Sequence, residues 1–168
     1  MKHKVVAYVT RQQDGRQRLL VFTHRDYPEA GVQVPAGTVE PGEAVEAALV
    51  REIREETGLT ELHLKGKLAE RYLPEFDETW HVFHLIAPDS LPDTWDWLTN
   101  DHADEGARER DERLVFSFLW ADLSDGVNLE KPEQGWWLNQ VADRMPKTSV
   151  HNYRKPELGY IWDNTRFM

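Results

Sequence analysis

Three glutamates, Glu52, Glu55 and Glu56, have the spacing most suited to chemistry in this chain. They stand at positions i, i+3 and i+4, so on a helix their carboxylates project from one face. Like charges four residues apart cost about 0.2–0.5 kcal/mol per pair, and Arg51, four residues before Glu55, returns a similar amount. A hard divalent cation prefers several oxygen ligands and would stabilise the cluster. The spacing therefore predicts a metal site, with a solvated acidic helix face as the alternative.

The residues around these glutamates predict a loop, a helix and a second loop. Pro41 and Gly42 punctuate the first loop. The helix is predicted to start at about Glu43, where the helix dipole favours an anion, so a structural role is expected for Glu43. Its apolar residues recur at i, i+4 and i+8 and can anchor it to a core: Val45, Leu49 and Ile53. Gly58 stands where a glycine commonly ends a helix, with Leu59 as the accompanying apolar contact.

The stretch from Gly37 to Leu59 resembles a complete Nudix box, the signature of the Nudix hydrolases. The residues that carry the resemblance are Gly37, Glu43, Arg51, Glu52, Ile53, Glu55, Glu56, Gly58 and Leu59. The resemblance implies an α/β fold, an alpha-beta-alpha sandwich around a mixed β-sheet. It also implies a Mg2+- or Mn2+-dependent pyrophosphohydrolase that acts on a nucleoside diphosphate linked to another group.

The resemblance further implies that water attacks a phosphorus atom of a diphosphate bridge and that the box residues divide the work. Glu55 and Glu56 are the first-choice metal ligands. Glu52 is a further ligand or the general base, and the Gly37 carbonyl is another candidate ligand. Bound metal ions neutralise bridging oxygens and lower the pKa of bound water. Arg51 is expected to assist catalysis by orienting the carboxylates through its i, i+4 pair with Glu55.

The stretch Pro88–Arg113 is predicted to be a long loop, and long loops in compact domains are usually functional or disordered. Trp95 and Trp97 stand at alternate positions on it. They are candidate substrate-binding residues, because an indole can stack on a nucleobase. A satellite hydrophobic cluster is the alternative interpretation of the two tryptophans.

Two further contributions to the site are expected outside the box. The family often adds a carboxylate from the loop before the last core strand, and the candidates here are Asp104, Glu105, Glu109 and Glu112. Arg25 is the nearest basic residue outside the box and a candidate contact for a substrate phosphate. A surface ion pair of Arg25 with Asp26 or Glu29 is the alternative.

Length and composition predict a single domain over residues 1–168, with a core at about 3–145 and a C-terminal extension at 146–168. The chain has 168 residues, 40% of them hydrophobic, and no cysteine, which excludes disulfides and thiolate metal sites. The formal charge of −10 argues against general nucleic-acid binding and against anionic membranes. The N-terminal residues contain no signal-peptide pattern, so a cytoplasmic location is predicted. Family members are often dimers, so a homodimer is an expectation of the resemblance.

The remaining pattern predicts strands joined by turns and one late helix. Asp14-Gly15 is expected to form a hairpin turn. The predicted strands are Lys4–Thr10, Arg18–Thr23, Val32–Val34, Glu61–Leu73, Trp80–Ala87 and Leu114–Trp120. A helix is predicted at Glu133–Met145, before Pro146. The aromatic residues after Pro146 predict ordered packing of the extension on the domain or on a partner subunit.

Two short stretches outside the acidic cluster indicate the substrate. Pro74 and Pro35-Ala36-Gly37 resemble the ADP-ribose pyrophosphatase subgroup, so an ADP-ribose-like substrate is favoured. The alternatives are hydrolysis of a dinucleoside polyphosphate or a nucleoside triphosphate, and a module of the same fold that senses nucleotides without turnover. A degraded box would favour the sensor, and this box is intact.

Overall fold

The computed structural model describes residues 1–144, apart from the side chains of residues 142–144. Its strands are β1 Lys2–Gln13, β2 Arg16–His24, β3 Ala36–Thr38, β4 His63–Leu73, β5 Glu78–Ile86, β6 Thr94–His102 and β7 Arg113–Asp122. Its α-helices are α1 Val45–Thr57, α2 Glu105–Glu109 and α3 Leu138–Arg144. Short 3-10 turns lie at Pro28–Ala30, Leu123–Asp125 and Pro132–Gly135. The predicted extension at 146–168 lies outside the described residues.

One seven-stranded mixed sheet forms the centre of the described chain. Its strands lie in the order β4-β5-β1-β2-β7-β6, and β3 pairs with β1. β1 and β5 run parallel, while the other paired strands are antiparallel. The mixed sheet predicted from the sequence is confirmed.

The hairpin between β1 and β2 forms at the predicted two-residue turn. Gln13 pairs with Arg16, and Asp14 and Gly15 have φ values of 52° and 74°. Both central residues therefore adopt the left-handed conformation that a type I′ turn requires, which Asp-Gly tolerates well. The two strands extend beyond the predicted limits because they continue to pair up to this turn.

Apolar residues cover both faces of the sheet, so the described chain has three layers. On one face α1 packs through Leu49 and Ile53 against β1, β2, β5 and β7. On the other face Trp137 and Val141, which precede and lie on α3, pack against β1, β2 and β5. The alternation of side chains along each strand supplies both faces from the same strands. This arrangement confirms the predicted alpha-beta-alpha sandwich.

The prediction of a long loop at Pro88–Arg113 is wrong, because this stretch contains β6 and α2. β6 pairs antiparallel with β7 along its length, and Trp95 and Trp97 face Phe118 and Phe116 across the pair. The alternation of aromatic and polar residues from Thr94 was the period-two pattern of a strand. The polar residues on the other face of β6 made that pattern difficult to recognise.

Two smaller predictions also need correction. Val32–Val34 forms only an isolated bridge, from Gln33 to Phe22, and the strand in this region is β3. The helix predicted at Glu133–Met145 is divided into the 3-10 turn Pro132–Gly135 and α3, and its last predicted residue lies outside the described part. Trp136 and Trp137 lie between the two pieces.

The described residues include no helix that is long and apolar enough to cross a membrane.

Candidate active site

Helix α1 begins at Val45, two residues later than predicted, and ends at Thr57. Gly58 follows with φ 74° and donates its N–H to the carbonyl of Arg54 at 3.1 Å. A side chain at this left-handed position would be strained, so the glycine ends the helix as predicted. Leu49 and Ile53 are buried beneath the helix. Glu56 is buried on the same helix, while Glu52 and Glu55 are half-buried.

The Arg51 guanidinium is the hub of the acidic cluster. Its Nε and Nη2 donate to the two carboxylate oxygens of Glu43 at 2.8 and 2.9 Å. Its Nη1 donates to Glu52 at 2.9 Å and to Glu55 at 3.2 Å. Nη2 also donates to the Thr38 carbonyl at 2.9 Å. One arginine therefore joins the loop before α1 to two of its carboxylates.

Glu43 lies in the turn before α1, and its carboxylate is committed to Arg51. Its Oε2 also accepts the backbone N–H of Glu40 at 3.0 Å. The hydrogen bonds from Arg51 lower the pKa of Glu43, so this carboxylate stays ionised. The predicted structural role of Glu43 thus involves an ion pair with Arg51, eight residues further along the chain. The sequence interpretation missed this pair.

Glu52 lies directly over Gly37 on β3. A Cβ atom added to Gly37 would lie 1.8 Å from the carboxylate carbon of Glu52. Any side chain at position 37 would therefore displace the carboxylate. Burial raises the pKa of Glu52, Arg51 acts in the opposite direction, and the charges of Glu55 and Asp101 raise it further. The carboxylate is consequently closer to accepting a proton near neutral pH than an exposed glutamate.

Glu56 is the most deeply buried of the three glutamates, with 6% of its surface exposed. Its Oε2 accepts the backbone N–H of Ala36 at 2.9 Å. Burial raises its pKa well above the usual range, and the charges of Glu52 and Asp101 add to this increase. A buried carboxylate of this kind is stabilised by protonation or by a cation.

Asp101, near the end of β6, is a site residue that the sequence interpretation missed. Its charge contributes to the raised pKa of both Glu52 and Glu56, which places it beside the cluster. The register of β6 against β7 shifts between Leu98 and His102, so the strand bulges where Asp101 lies. The signal in the sequence was a carboxylate shortly before a core strand, although it lies outside the four candidates considered.

The other predicted carboxylates lie elsewhere on the surface. Glu109 is exposed on α2. Glu112 is exposed and forms a bidentate ion pair with Arg110, with both bonds at 2.9 Å. The structure therefore does not bring Glu109 or Glu112 to α1.

Arg25 lies just after β2 and forms its ion pairs at the surface. Its guanidinium lies 3.2 Å from Asp26 and 3.9 Å from Asp96. Asp96 alternates with Trp95 and Trp97 along β6 and so points to the face of the sheet opposite α1. The structure therefore pairs Arg25 away from the glutamates, and its contact with a substrate phosphate stays a prediction.

Trp95 and Trp97 lie on the α1 side of β6 and contact the end of that helix. Trp95 stacks on Phe118, with ring centroids 4.9 Å apart, and donates its N–H to the Thr57 carbonyl at 3.1 Å. Trp97 remains 38% exposed and donates its N–H to the Glu55 carbonyl at 2.9 Å. The two indoles are partners of the helix, and stacking on a substrate stays a prediction.

The donor set fits a hard divalent cation in its chemistry but is not assembled around one. Glu52, Glu55, Glu56 and Asp101 offer only oxygen ligands, as Mg2+ and Mn2+ prefer. Within residues 1–144, however, no three acidic or histidine side chains converge closely enough to cage an ion. Arg51 binds two of these carboxylates instead. A bound cation would reduce the excess of negative charge on these carboxylates.

Known proteins resemble this chain in both sequence and fold. An ADP-ribose pyrophosphatase of Methanocaldococcus jannaschii is 39% identical over 70 residues, 41% of each chain. Nudix hydrolase 26 of Arabidopsis thaliana is 28% identical over 145 residues, 83% of this chain and 59% of the relative. The chain thus spans about half the length of these relatives. The crystal structure of a C. elegans Ap4A hydrolase complex, 18% identical, superposes with a TM-score of 0.58 over 85% of this chain and 96% of that one.

The family comparison covers nearly all of the described chain. Residues 1–140 match the NUDIX domain, a range that contains the whole sheet, α1 and the acidic cluster. The similarity to the family therefore extends from the 23 residues of the box to the apolar cores on both faces of the sheet. Since the match includes the site and the fold that positions it, the protein belongs to the Nudix family.

Proposed function

We propose that this protein is a metal-dependent pyrophosphohydrolase that cleaves the diphosphate linkage of a nucleoside diphosphate derivative. The observation that carries the proposal is that Glu52, Glu55 and Glu56 lie within two turns of one helix, buried or half-buried, with Glu52 and Glu55 bridged by Arg51. Arg51 is the basic residue that forms ion pairs with Glu52 and Glu55. Such a concentration of negative charge is costly for folding alone, which supports a role in holding cations.

Mg2+ or Mn2+ is the proposed cofactor. Glu55 and Glu56 would hold it, with Glu52, Asp101 and the Gly37 carbonyl as further ligands. When bound, the metal supplies charge neutralisation for the diphosphate oxygens and an acidified water molecule. Glu55 is the most accessible of the three glutamates, with 38% of its side chain exposed, so its carboxylate can turn toward an ion without unfolding α1.

The chain's own residues prepare the site for proton transfer. Glu52 is proposed as the general base, because burial raises its pKa and makes it a stronger base than an exposed glutamate. Arg51 is proposed to hold Glu52 in place while the pair with Glu43 holds Arg51. Gly37 leaves the room that the Glu52 carboxylate occupies. Each of these contacts orients one carboxylate oxygen before substrate arrives.

An ADP-ribose-like compound is the proposed substrate. The 39% identity to the ADP-ribose pyrophosphatase of M. jannaschii over 70 residues is consistent with this choice. An equal identity, over 67 residues, to a putative 8-oxo-dGTP diphosphatase of Bacillus subtilis keeps a nucleoside triphosphate as an alternative substrate. The resemblance to a structure of an Ap4A hydrolase concerns the fold, so a dinucleoside polyphosphate is the second candidate. Contacts of Arg25 with a phosphate and of Trp97 with the base belong to the proposal. A cytoplasmic location and a homodimer stay predictions.

A substrate panel tests the proposal. Purified protein with Mg2+ or Mn2+ is incubated with ADP-ribose, Ap4A and nucleoside triphosphates, and the products are identified by mass. The variant Glu55→Gln/Glu56→Gln should lose turnover while keeping its circular dichroism spectrum. The matched control Glu61→Gln/Glu75→Gln removes the same charge from two exposed positions and should stay active. Binding of nucleotides without any product would replace the enzyme by a nucleotide sensor.

A further inference from the structure

The two tryptophans of β6 satisfy carbonyl groups at the end of α1. The last four carbonyls of an α-helix have no partner within the helix. Trp97 donates its indole N–H to the carbonyl of Glu55 at 2.9 Å. Trp95 donates its indole N–H to the carbonyl of Thr57 at 3.1 Å. The turn that carries Glu55 and Glu56 is therefore held from outside by side chains of the edge strand.

The Trp97 ring also lies directly on Gly58. A Cβ atom added to Gly58 would lie 2.5 Å from Cζ3 of Trp97, closer than any real contact allows. The glycine that ends the helix thus leaves the space in which the indole lies. Two independent contacts, the hydrogen bond and this close approach, fix the position of Trp97 relative to the last turn of α1.

Trp95 anchors β6 to the core. Asp101, near the other end of the strand, acts on the acidic cluster through its charge. Trp95 stacks on Phe118 with an interplanar angle of 14°. Beyond Trp97 the strand bulges at Thr99, whose hydroxyl donates to the Leu114 carbonyl at 3.1 Å and accepts the Asp101 N–H at 3.0 Å. One strand therefore holds the turn with Glu55 and Glu56 and also carries Asp101, whose charge acts on Glu56.

We propose that Trp97 is a positioning residue for the metal site. Its hydrogen bond to the Glu55 carbonyl fixes the turn that carries Glu55 and Glu56 against β6. The inference rests on the proposed function, because it assumes that these carboxylates bind a cation. It gives Trp97 a role in metal affinity that is separate from the proposed contact of its ring with the base.

The choice of Trp97 over Trp95 follows from their surroundings. Trp95 packs among Phe118 and Trp120, so its replacement would disturb the core together with the hydrogen bond. Trp97 is 38% exposed and makes its bond at the rim of the sheet. A substitution at Trp97 can therefore remove the bond while the core stays intact.

Two substitutions separate the hydrogen bond from the bulk of the ring. Trp97→Phe keeps an aromatic ring without a donor. Trp97→His is smaller but can place its Nε2–H where the indole N–H lies, since the two five-membered rings superpose. Trp136→Phe is the matched control, because Trp136 is similarly exposed and contacts Arg71 and Trp137 instead of α1.

The measurement is Mn2+ affinity, obtained from the electron paramagnetic resonance signal of free Mn2+ at pH 8 in the absence of substrate. Trp97→Phe should bind Mn2+ about threefold to tenfold more weakly than the wild type, the range that one hydrogen bond allows. Trp97→His should stay within about twofold of the wild type, and Trp136→Phe should match it. Melting temperatures without metal report whether each variant is folded.

Three results would overturn the inference. Wild-type Mn2+ affinity in Trp97→Phe would show that the bond does not position the ligands, and a raised KM for nucleotides alone would favour stacking. Equal weakening in Trp97→Phe and Trp97→His would assign the effect to ring packing. If the wild type itself binds no Mn2+, the proposed function fails and the inference fails with it.

Discussion

Arg51 and Glu43 form a bidentate ion pair, with nitrogen–oxygen distances of 2.8 and 2.9 Å. The pair joins the turn before α1 to the middle of that helix. Bidentate arginine–carboxylate pairs are stronger and more directional than single charged hydrogen bonds. Because two guanidinium nitrogens are engaged in this way, the third points at Glu52 and Glu55. The orientation of the Glu52 and Glu55 carboxylates therefore depends on a glutamate that lies outside the helix.

Replacement of Arg51 by lysine tests this dependence. A single ammonium group cannot bind Glu43 in bidentate fashion and also reach Glu52, so at least one charged hydrogen bond is lost. Arg51→Lys should lower kcat/KM by about 10–100-fold, the equivalent of one such bond. Steady-state kinetics provide the measurement, and Arg54→Lys on the exposed side of the same helix is the control. Unchanged kinetics in Arg51→Lys would contradict the proposed role.

Glu52→Gln tests the assignment of the general base. A positioned base typically contributes 10^2–10^4-fold, so kcat should fall by at least about 100-fold with a modest change in KM. Glu43→Gln is the comparison, since it removes a carboxylate from the same ion-pair network. A large loss in Glu43→Gln together with a nearly harmless Glu52→Gln would move the base to the turn before α1.

Asp101→Asn tests which carboxylate completes the site. The substitution keeps the shape of the side chain and removes the charge that acts on Glu52 and Glu56. Affinity for Mn2+, measured by calorimetry, should fall by about 10–100-fold, as when a partner of a metal ligand is removed. Glu109→Gln and Glu112→Gln remove the same charge at exposed positions and should have little effect. The assignment is wrong if either control weakens binding more than Asp101→Asn.

We expect the free energy of unfolding to decrease below neutral pH because of His81. It is buried on β5, with its Nε2 2.9 Å from Nδ1 of His3 and its Nδ1 3.3 Å from Glu70. Burial lowers its pKa, as do the charges of Lys67 and His3, while Glu70 opposes them. Since the unfolded state then binds more protons below about pH 6.5, stability is greatest above that pH and falls on acidification.

The measurement for His81 is the melting temperature from pH 8 to pH 5. The wild type should lose stability as the pH falls through this window, and His81→Gln should show a flatter dependence. His63→Gln, on the neighbouring strand β4, is the control for removal of a histidine. Parallel curves for the wild type and His81→Gln would exclude His81 as the source.

Trp95→Ala should act on the fold and not on selectivity. The indole packs against Phe118 and Trp120, so its removal should cost about 3–5 kcal/mol of unfolding free energy. Any loss of kcat/KM should be equal for a nucleotide substrate and for an inorganic polyphosphate, which has no base. Trp136→Ala, at an exposed position, is the control for both measurements. A loss confined to nucleotides, with unchanged unfolding in urea, would restore Trp95 as a stacking residue.

Helix α1 and the side on which it carries its glutamates could be predicted from the sequence alone. The spacing of Glu52, Glu55 and Glu56 depends only on the helical repeat, and Gly58 ends the helix through its own backbone conformation. The hairpin at Asp14-Gly15 is local in the same sense. Each of these features is decided within a few residues, so periodicity and turn chemistry were sufficient.

The completed site was decided by tertiary structure. Asp101 is far from Glu52 in sequence, and it reaches the cluster because β6 pairs with β7 and bulges beside it. Arg51 could be matched to Glu55 by helical spacing, but its bidentate partner Glu43 depends on the path of the turn before α1. Burial of Glu56 likewise follows from the packing of α1 on β3. Contacts between distant segments depend on strand pairing and on the exclusion of water, and neither has a period that sequence reasoning can detect.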